Sequence, residues 1–129
     1  MEKMLDDLTV EHIKYAVEMC GYDFREIIRN HTRKRTYVDV RSVIFELCQA
    51  ETGAMPKEIG NKFGWHRCTV YYSIGKAKEL REYDKQFRDM YDSIHSYYIM
   101  AESIAEDNGR KHNEDVNQGP GSPVVEEER

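Results

Sequence analysis

Residues 55–76 read MPKEIGNKFGWHRCTVYYSIGK and carry the most informative pattern in the chain. Pro56 suits the first turn of a short helix, where its missing N–H costs little, and Gly64 is expected to end that helix. A second helix is predicted to begin near Arg67 and to continue beyond Lys76. A short helix, a glycine-containing turn and a second helix with small or hydroxyl residues near its start are typical of the helix-turn-helix motif.

Apolar residues at helical spacing predict further helices on both sides of this motif. Upstream, we expect Thr9 to cap a first helix and Asp23 to cap a short second one, with Glu26 completing its capping box. Asp39 is expected to cap a third helix that ends at residues 52–54. Downstream, a sixth helix carries an apolar stripe that keeps helical period, formed by Phe87, Met90, Tyr91, Ile94, Tyr97, Tyr98, Ala101, Ile104 and Ala105.

The apolar pattern stops at Glu106, where Gly, Asn, Pro and Ser and a run of three glutamates take over. A segment with so few apolar residues cannot bury enough surface to offset its conformational entropy. The sequence therefore predicts one all-α domain over residues 1–105, a bundle of about six helices, followed by a disordered acidic tail over residues 106–129.

Composition argues against several classes of protein. No apolar run approaches the roughly 18 residues of a spanning helix, and the first residues lack a signal-peptide pattern, so we expect a cytoplasmic protein with no membrane partner. Cys20, Cys48 and Cys68 form no CxxC pair, and the histidines are scattered without metal-ligand spacing. No nucleophile–base or paired-carboxylate pattern stands out. We therefore expect neither an enzyme nor a cofactor or metal.

The charge is unevenly distributed along the chain. The whole protein of 129 residues carries a net charge of -5, yet residues 29–78 hold ten basic and four acidic side chains. A basic middle between acidic ends is a local electrostatic footprint for a polyanion, although a solvated basic face gives the same pattern.

Several landmarks fall in order around the motif. They are Arg33-Lys34-Arg35, Arg41, Leu47 with Thr52, Glu58-Ile59-Gly60, Phe63-Gly64, Cys68-Thr69-Val70 and Lys76. In this order and spacing they resemble the C-terminal DNA-binding domain of the bacterial replication initiator DnaA, over about residues 10–95. The resemblance implies a Trp-repressor-like helical fold that binds double-stranded DNA at the nucleoid, in replication control or transcription regulation. No GxxxxGK[ST] loop is present, so we expect neither nucleotide binding nor the initiator's ATPase motor.

The candidate DNA contacts fall into three groups. The resemblance places Arg41 in the minor groove, whose negative potential favours a guanidinium. The expected phosphate contacts are Arg33, Lys34, Arg35, Lys57, Lys62 and Lys76. On the first recognition turns, Arg67 can pair with guanine and Thr69 can meet a thymine methyl group. The other candidates on those turns are His66, Cys68 and Tyr72, whereas Trp65 is expected to pack or to stack on a phosphate rather than to wedge between bases.

The family pattern is not matched everywhere. The residues His66, Arg67 and Cys68 replace the family's Asp-His-Thr, and the turn after Gly64 is one residue shorter, so the family's target sequence is not carried over.

Two other functions stay open at this point. A protein-interaction adaptor would use the long C-terminal helix, where Tyr97, Tyr98 and Met100 lie. An exposed apolar stripe there would favour the adaptor, whereas a positive face over Arg41, Arg67 and Lys76 would favour DNA. RNA binding agrees with the charge but not with the groove-reading geometry of the motif.

Overall fold

Six α-helices make up the part of the chain that the computed structural model describes, which is residues 5–118, with side chains to residue 106. The helices are α1 (Asp7–Met19), α2 (Phe24–Arg29), α3 (Arg35–Thr52), α4 (Pro56–Phe63), α5 (Arg67–Tyr83) and α6 (Lys85–Gln118). No strand occurs between residues 5 and 118. The prediction of an all-α bundle of about six helices is confirmed.

Helix ends follow the capping chemistry of the sequence, with two exceptions. Asp23 caps α2 as predicted, because its carboxylate accepts the backbone N–H of Glu26 at 3.1 Å. For α1 the cap is Asp6, which accepts the N–H of Thr9 at 2.8 Å. This hydrogen bond lowers the pKa of Asp6. Thr9, expected as the cap, therefore lies within the first turn, where its N–H is one of the donors that a cap satisfies.

The second exception is the start of α3. The helix begins at Arg35, four residues before Asp39, the expected cap. Its first turn is closed by the N–H of Val38, which donates to the carbonyl of Lys34 at 3.0 Å. Asp39 instead accepts a hydrogen bond from Arg35 Nε at 3.0 Å, an ion pair at i,i+4 spacing that supports the added turn.

The centre of the bundle is α3, which packs against all five other helices. Its buried apolar side chains are Val40, Val43, Ile44, Phe45, Leu47 and Cys48. Helices α1 and α6 lie along each other and bury Ile13, Ala16 and Val17 against Tyr91, Ile94 and Tyr98. Each large apolar side chain buried in this way contributes about 1.5–3 kcal/mol. This core holds α4 and α5 at a fixed angle to the rest of the molecule.

The turn between α4 and α5 is tight because Gly60 has no side chain. The carbonyl of Gly60 accepts the N–H groups of Gly64 at 2.8 Å and Trp65 at 2.9 Å. A Cβ atom on Gly60 would collide with the backbone oxygen of Trp65. Gly64 ends α4 with a φ of 80°, a left-handed conformation that glycine adopts at no steric cost. The pair of glycines therefore sets the angle between the two helices of the motif.

A buried polar cluster joins three helices at the opposite end of α5. Glu46 of α3 is 4% exposed and accepts a hydrogen bond from the Tyr91 hydroxyl of α6. Arg81 of α5 lies 3.8 Å from the Glu46 carboxylate, with its guanidinium 3.8 Å from the centre of the Tyr91 ring. Burial and the neighbouring carboxylate raise the pKa of Tyr91. The cluster fixes the rotation of α5 about its axis relative to α3 and α6.

The last helix extends beyond the predicted domain boundary at residue 106. Helix α6 continues to Gln118, although its buried side chains, within the part where side chains are described, end at Ala101. The segment after residue 106 has no proline before Pro120, so every residue in it keeps the backbone N–H that a helix uses. The rest of the predicted tail, residues 119–129, lies outside the described residues.

Candidate nucleic-acid interface

An open cleft of about 550 Å³ separates the connector after α2 from the first turns of α5. The connector is the loop of residues 30–34. The residues that line the cleft are His31, Thr32, Arg33, Val38, Arg41, Trp65, Cys68, Thr69, Tyr72 and Ser73. Among the residues that the structure describes, no Asp or Glu lines it, in a chain with 24 acidic side chains. The cleft is therefore a cationic and hydroxyl-rich surface.

Short side chains shape the connector. The Asn30 side-chain oxygen accepts the N–H of Thr32 at 3.0 Å, and the Thr32 hydroxyl accepts the N–H of Lys34 at 3.3 Å. Such local bonds hold a loop in place without secondary structure. Arg33 and Lys34 are exposed, and neither has an ion-pair partner among residues 5–106. Both cations are therefore exposed to solvent, and their contact with phosphate stays a prediction.

Arg41 does not have the position that the sequence predicted. It is 7% exposed, and its guanidinium donates to the carbonyl oxygens of Ile27 at 3.3 Å, Asn30 at 2.8 Å and Thr32 at 2.9 Å. The end of α2 leaves carbonyls without helical partners, and Arg41 supplies their donors. Burial lowers the pKa of Arg41. The expectation of an arginine free to enter a minor groove is corrected: Arg41 forms the floor of the cleft and holds its connector wall.

Trp65 joins the connector to the helix-turn-helix turn. Its indole Nε1 donates to the carbonyl of Ile28 at 2.8 Å, and its ring stacks on His31 at a centroid distance of 3.7 Å. The Arg41 guanidinium lies 4.5 Å from the centre of the indole ring, and Phe45 meets the indole edge-on at 6.2 Å. Trp65 thus packs, as predicted, and holds the two walls of the cleft at a fixed separation.

The first turns of α5 present a short polar face to the cleft. His66 caps the helix, because its Nδ1 accepts the N–H of Cys68 at 3.0 Å. Thr69 and Ser73 lie one turn apart on the cleft side, and Tyr72 beside them is 67% exposed. Arg67 is exposed at the first position of α5 but does not line the cleft. Residues two apart on a helix do not share a face, so Arg67 and Thr69 point in different directions.

Four of the predicted phosphate contacts lie away from the cleft. Arg35 donates to Asp39 at 3.0 Å and to Asp84 at 3.1 Å, and Lys62 forms an ion pair with Asp7 of α1. Lys57 is exposed on α4. Lys76 lies further along α5 and pairs with Glu79 at 3.5 Å. Of the predicted DNA contacts, five line the cleft and the others do not. The five are Arg33, the buried Arg41, Cys68, Thr69 and Tyr72.

Apart from Trp65, sequence reasoning missed four residues of the cleft, which are His31, Thr32, Val38 and Ser73. His31 and Thr32 belong to the basic connector but carry no charge pattern of their own, so only the stack on Trp65 and the bond to Arg41 reveal their position. Ser73 follows Thr69 by four residues, a spacing that places two residues on one helix face. This spacing was the sequence signal that could have placed Ser73 at the cleft.

Other chemistry finds little support in the described residues. No group of three His, Cys, Asp or Glu side chains in that part of the chain can hold a metal ion. Cys68 is an exposed free thiol, whereas burial raises the pKa of Cys48 to about 12 and keeps that thiol protonated. Between residues 5 and 118, no helix is both long enough and apolar enough to cross a bilayer.

Comparison of the chain with family models, with curated proteins and with solved structures gives no match. The resemblance to the DnaA domain therefore rests on the sequence landmarks alone.

Proposed function

We propose that this protein is a sequence-specific double-stranded DNA-binding protein that controls replication or transcription at the nucleoid by occupying a site. The observation that carries the proposal is the cleft between the connector and α5, which no carboxylate lines among the described residues. The chain is acidic overall, yet no carboxylate on this surface would repel a phosphate backbone. The surface also lies beside the start of the second helix of the helix-turn-helix motif, which is the helix that enters the major groove in such proteins.

In the proposed complex the first turns of α5 enter the major groove. Thr69 and Tyr72 are then the side chains nearest the base edges, with the Thr69 methyl group suited to a thymine methyl. Arg33 and Lys34 on the connector meet phosphates on one flank of the groove. Arg41 acts indirectly, because it holds the connector in the position from which those two cations reach the DNA.

The assignment of base reading to Thr69 is tested by selecting bound sites from a random duplex pool with the wild type and with Thr69→Ala. We expect the variant to lose about 1–3 kcal/mol on the preferred site and to relax choice at one base pair, with little change on random DNA. Arg67→Ala serves as the comparison on the neighbouring face. Identical preferences for wild type and Thr69→Ala would exclude this face of α5 as the reading surface.

Phosphate binding is tested separately through the salt dependence of affinity. Replacing Arg33 and Lys34 with Ala should reduce the slope of log K against log salt by about two units and weaken binding to all sequences alike. Lys85→Ala is the matched control, since Lys85 is an exposed cation on α6 that pairs with Asp89. An unchanged slope in the double variant would contradict the assignment of the connector to phosphate binding.

A second candidate function, a protein-interaction adaptor, is favoured by one observation. Ile99, Met100 and Ile104 near the outer part of α6 are 45–49% exposed. Replacing all three with Gln would abolish a partner interaction through α6 but leave duplex binding unchanged. Loss of duplex binding in that variant would instead tie α6 to the DNA-binding function.

A further inference from the structure

Two glycines lie inside the helices of the motif, and the fold explains only one of them. Gly60 is required by the close approach of the Trp65 carbonyl. Gly75 in the middle of α5 has helical backbone angles, and a Cβ atom there would meet nothing within 4 Å. A glycine inside a helix destabilises it relative to alanine. Nothing in the described part of the folded chain therefore requires a glycine at position 75.

Gly75 lies on a groove of about 390 Å³ between α5 and α3, which Gln49 of α3 and Ile74 of α5 also line. Tyr71 and Tyr72 stand one turn before it and are 72% and 67% exposed. Lys76 and Lys78 line the same groove after it. Glu79 also lines the groove and pairs with Lys76 at 3.5 Å. Side chains thus surround a strip of bare helix backbone.

We propose that this groove receives the sugar–phosphate strand of duplex DNA that borders the major groove, with Gly75 as the point of closest approach. The proposal rests on the proposed function and deepens it, because it names the second surface through which α5 holds its site. Glycine is the residue that lets a ligand backbone come closest to a helix.

The position of Gly75 along α5 fits a strand at the edge of the groove. A helix rises about 1.5 Å per residue, so Gly75 lies about 9 Å beyond Thr69. The major groove is about 12 Å wide. With Thr69 at the base edges, Gly75 therefore reaches the wall of the groove, where the phosphates run.

The cations and hydroxyl groups that flank Gly75 suit a phosphate strand. Lys76 and Lys78 flank Gly75, and the exposed hydroxyl groups of Tyr71 and Tyr72 can donate to phosphate oxygens. Glu79 neutralises Lys76 in the free protein. On binding, Lys76 exchanges this exposed carboxylate for a phosphate. An exposed pair of this kind costs little to break.

The test uses the full chain with Gly75→Ala and Gly75→Gln, for which the account expects opposite changes in stability and in binding. Alanine and glutamine favour helices, so the Tm should rise by about 4 °C in each variant. The affinity for the selected duplex should fall severalfold for Ala and by about tenfold or more for Gln, because the added atoms hold the strand away. Ser96→Gln, which places the same side chain at an exposed site on α6, should leave the affinity unchanged.

The outcomes separate this inference from the proposed function. If the wild type binds the selected duplex and Gly75→Gln binds equally well, the groove does not hold the strand and the inference is overturned. A fall in Tm for Gly75→Ala would also overturn it, since Gly75 would then serve the fold. A wild type that binds no duplex overturns the proposed function and this inference together. The inference is supported if both Gly75 variants bind the duplex less tightly and have a raised Tm, while Ser96→Gln keeps the wild-type affinity.

Discussion

Replacing Arg41 with Ala should cost stability rather than a DNA contact. The guanidinium donates to three carbonyls, those of Ile27, Asn30 and Thr32, at 3.3, 2.8 and 2.9 Å. It also lies 4.5 Å from the centre of the Trp65 ring. Truncation at Cβ removes all of these interactions and leaves the end of α2 and the connector without donors.

The size of the loss follows from these contacts. A hydrogen bond to a charged group contributes about 1.5–3 kcal/mol, and a stacked cation adds about 0.5–2 kcal/mol. The terms are not additive, and water can reach the connector carbonyls once the side chain is gone. We therefore expect a decrease of about 3–5 kcal/mol in the free energy of unfolding, which lowers the Tm by about 12–20 °C.

Urea and thermal unfolding followed by circular dichroism measure this loss directly. Arg33→Ala is the control, because Arg33 is an exposed arginine of the same cleft and should change the free energy of unfolding by less than about 0.5 kcal/mol. The two variants should thus differ in what they change: Arg41→Ala lowers stability, whereas Arg33→Ala lowers DNA affinity. If Arg41→Ala unfolds like the wild type but binds DNA poorly, Arg41 contacts DNA and the internal role assigned to it is wrong.

Three further predictions follow from the packing. Gly60→Ala should destabilise the chain by about 1–3 kcal/mol in urea unfolding, since a Cβ atom forces Trp65 and its turn to move; an unchanged midpoint would show that the turn adapts freely. Because the folded-state pKa of Tyr91 is raised, its contribution to stability is complete below its unfolded pKa of about 10 and is lost as pH rises further. Tyr91→Phe should flatten that alkaline loss in stability measured against pH, and an unaltered profile would contradict the assignment. A chain ending at Asp107 should keep the wild-type Tm, because the buried side chains of α6 end at Ala101 in the part where side chains are described, and a lower Tm would mean that later residues pack.

Local chemistry explains which helix ends could be predicted from the sequence. Asp23 with Glu26, and Gly64 after α4, act through contacts within a few residues, so their patterns carry the information needed. Asp39 failed as a cap because it pairs with Arg35, and the sequence does not say which of two local interactions a carboxylate chooses. The part of α6 beyond residue 106 could not be predicted, because the apolar stripe ends at Ala105 while the helix continues to Gln118.

The candidate site could be predicted only in part, since it depends on which side chains turn inward. The connector cations and the face of Thr69 follow from charge and helical spacing. The burial of Arg41 does not, because its partners are backbone carbonyls 9 to 14 residues earlier in the chain that offer no sequence signal. The same holds for the ion pair that joins Lys62 of α4 to Asp7 of α1, which lie 55 residues apart.

The most direct test of the central claim is to map the contact surface by amide chemical shifts as a selected duplex is added to the labelled full chain. DNA binding through the cleft predicts shift changes at connector residues 31–34 and on α5 from Cys68 to Lys78, with residues 99–104 of α6 unchanged. Changes confined to residues 99–104, or no change at any duplex concentration, would contradict DNA binding through the cleft.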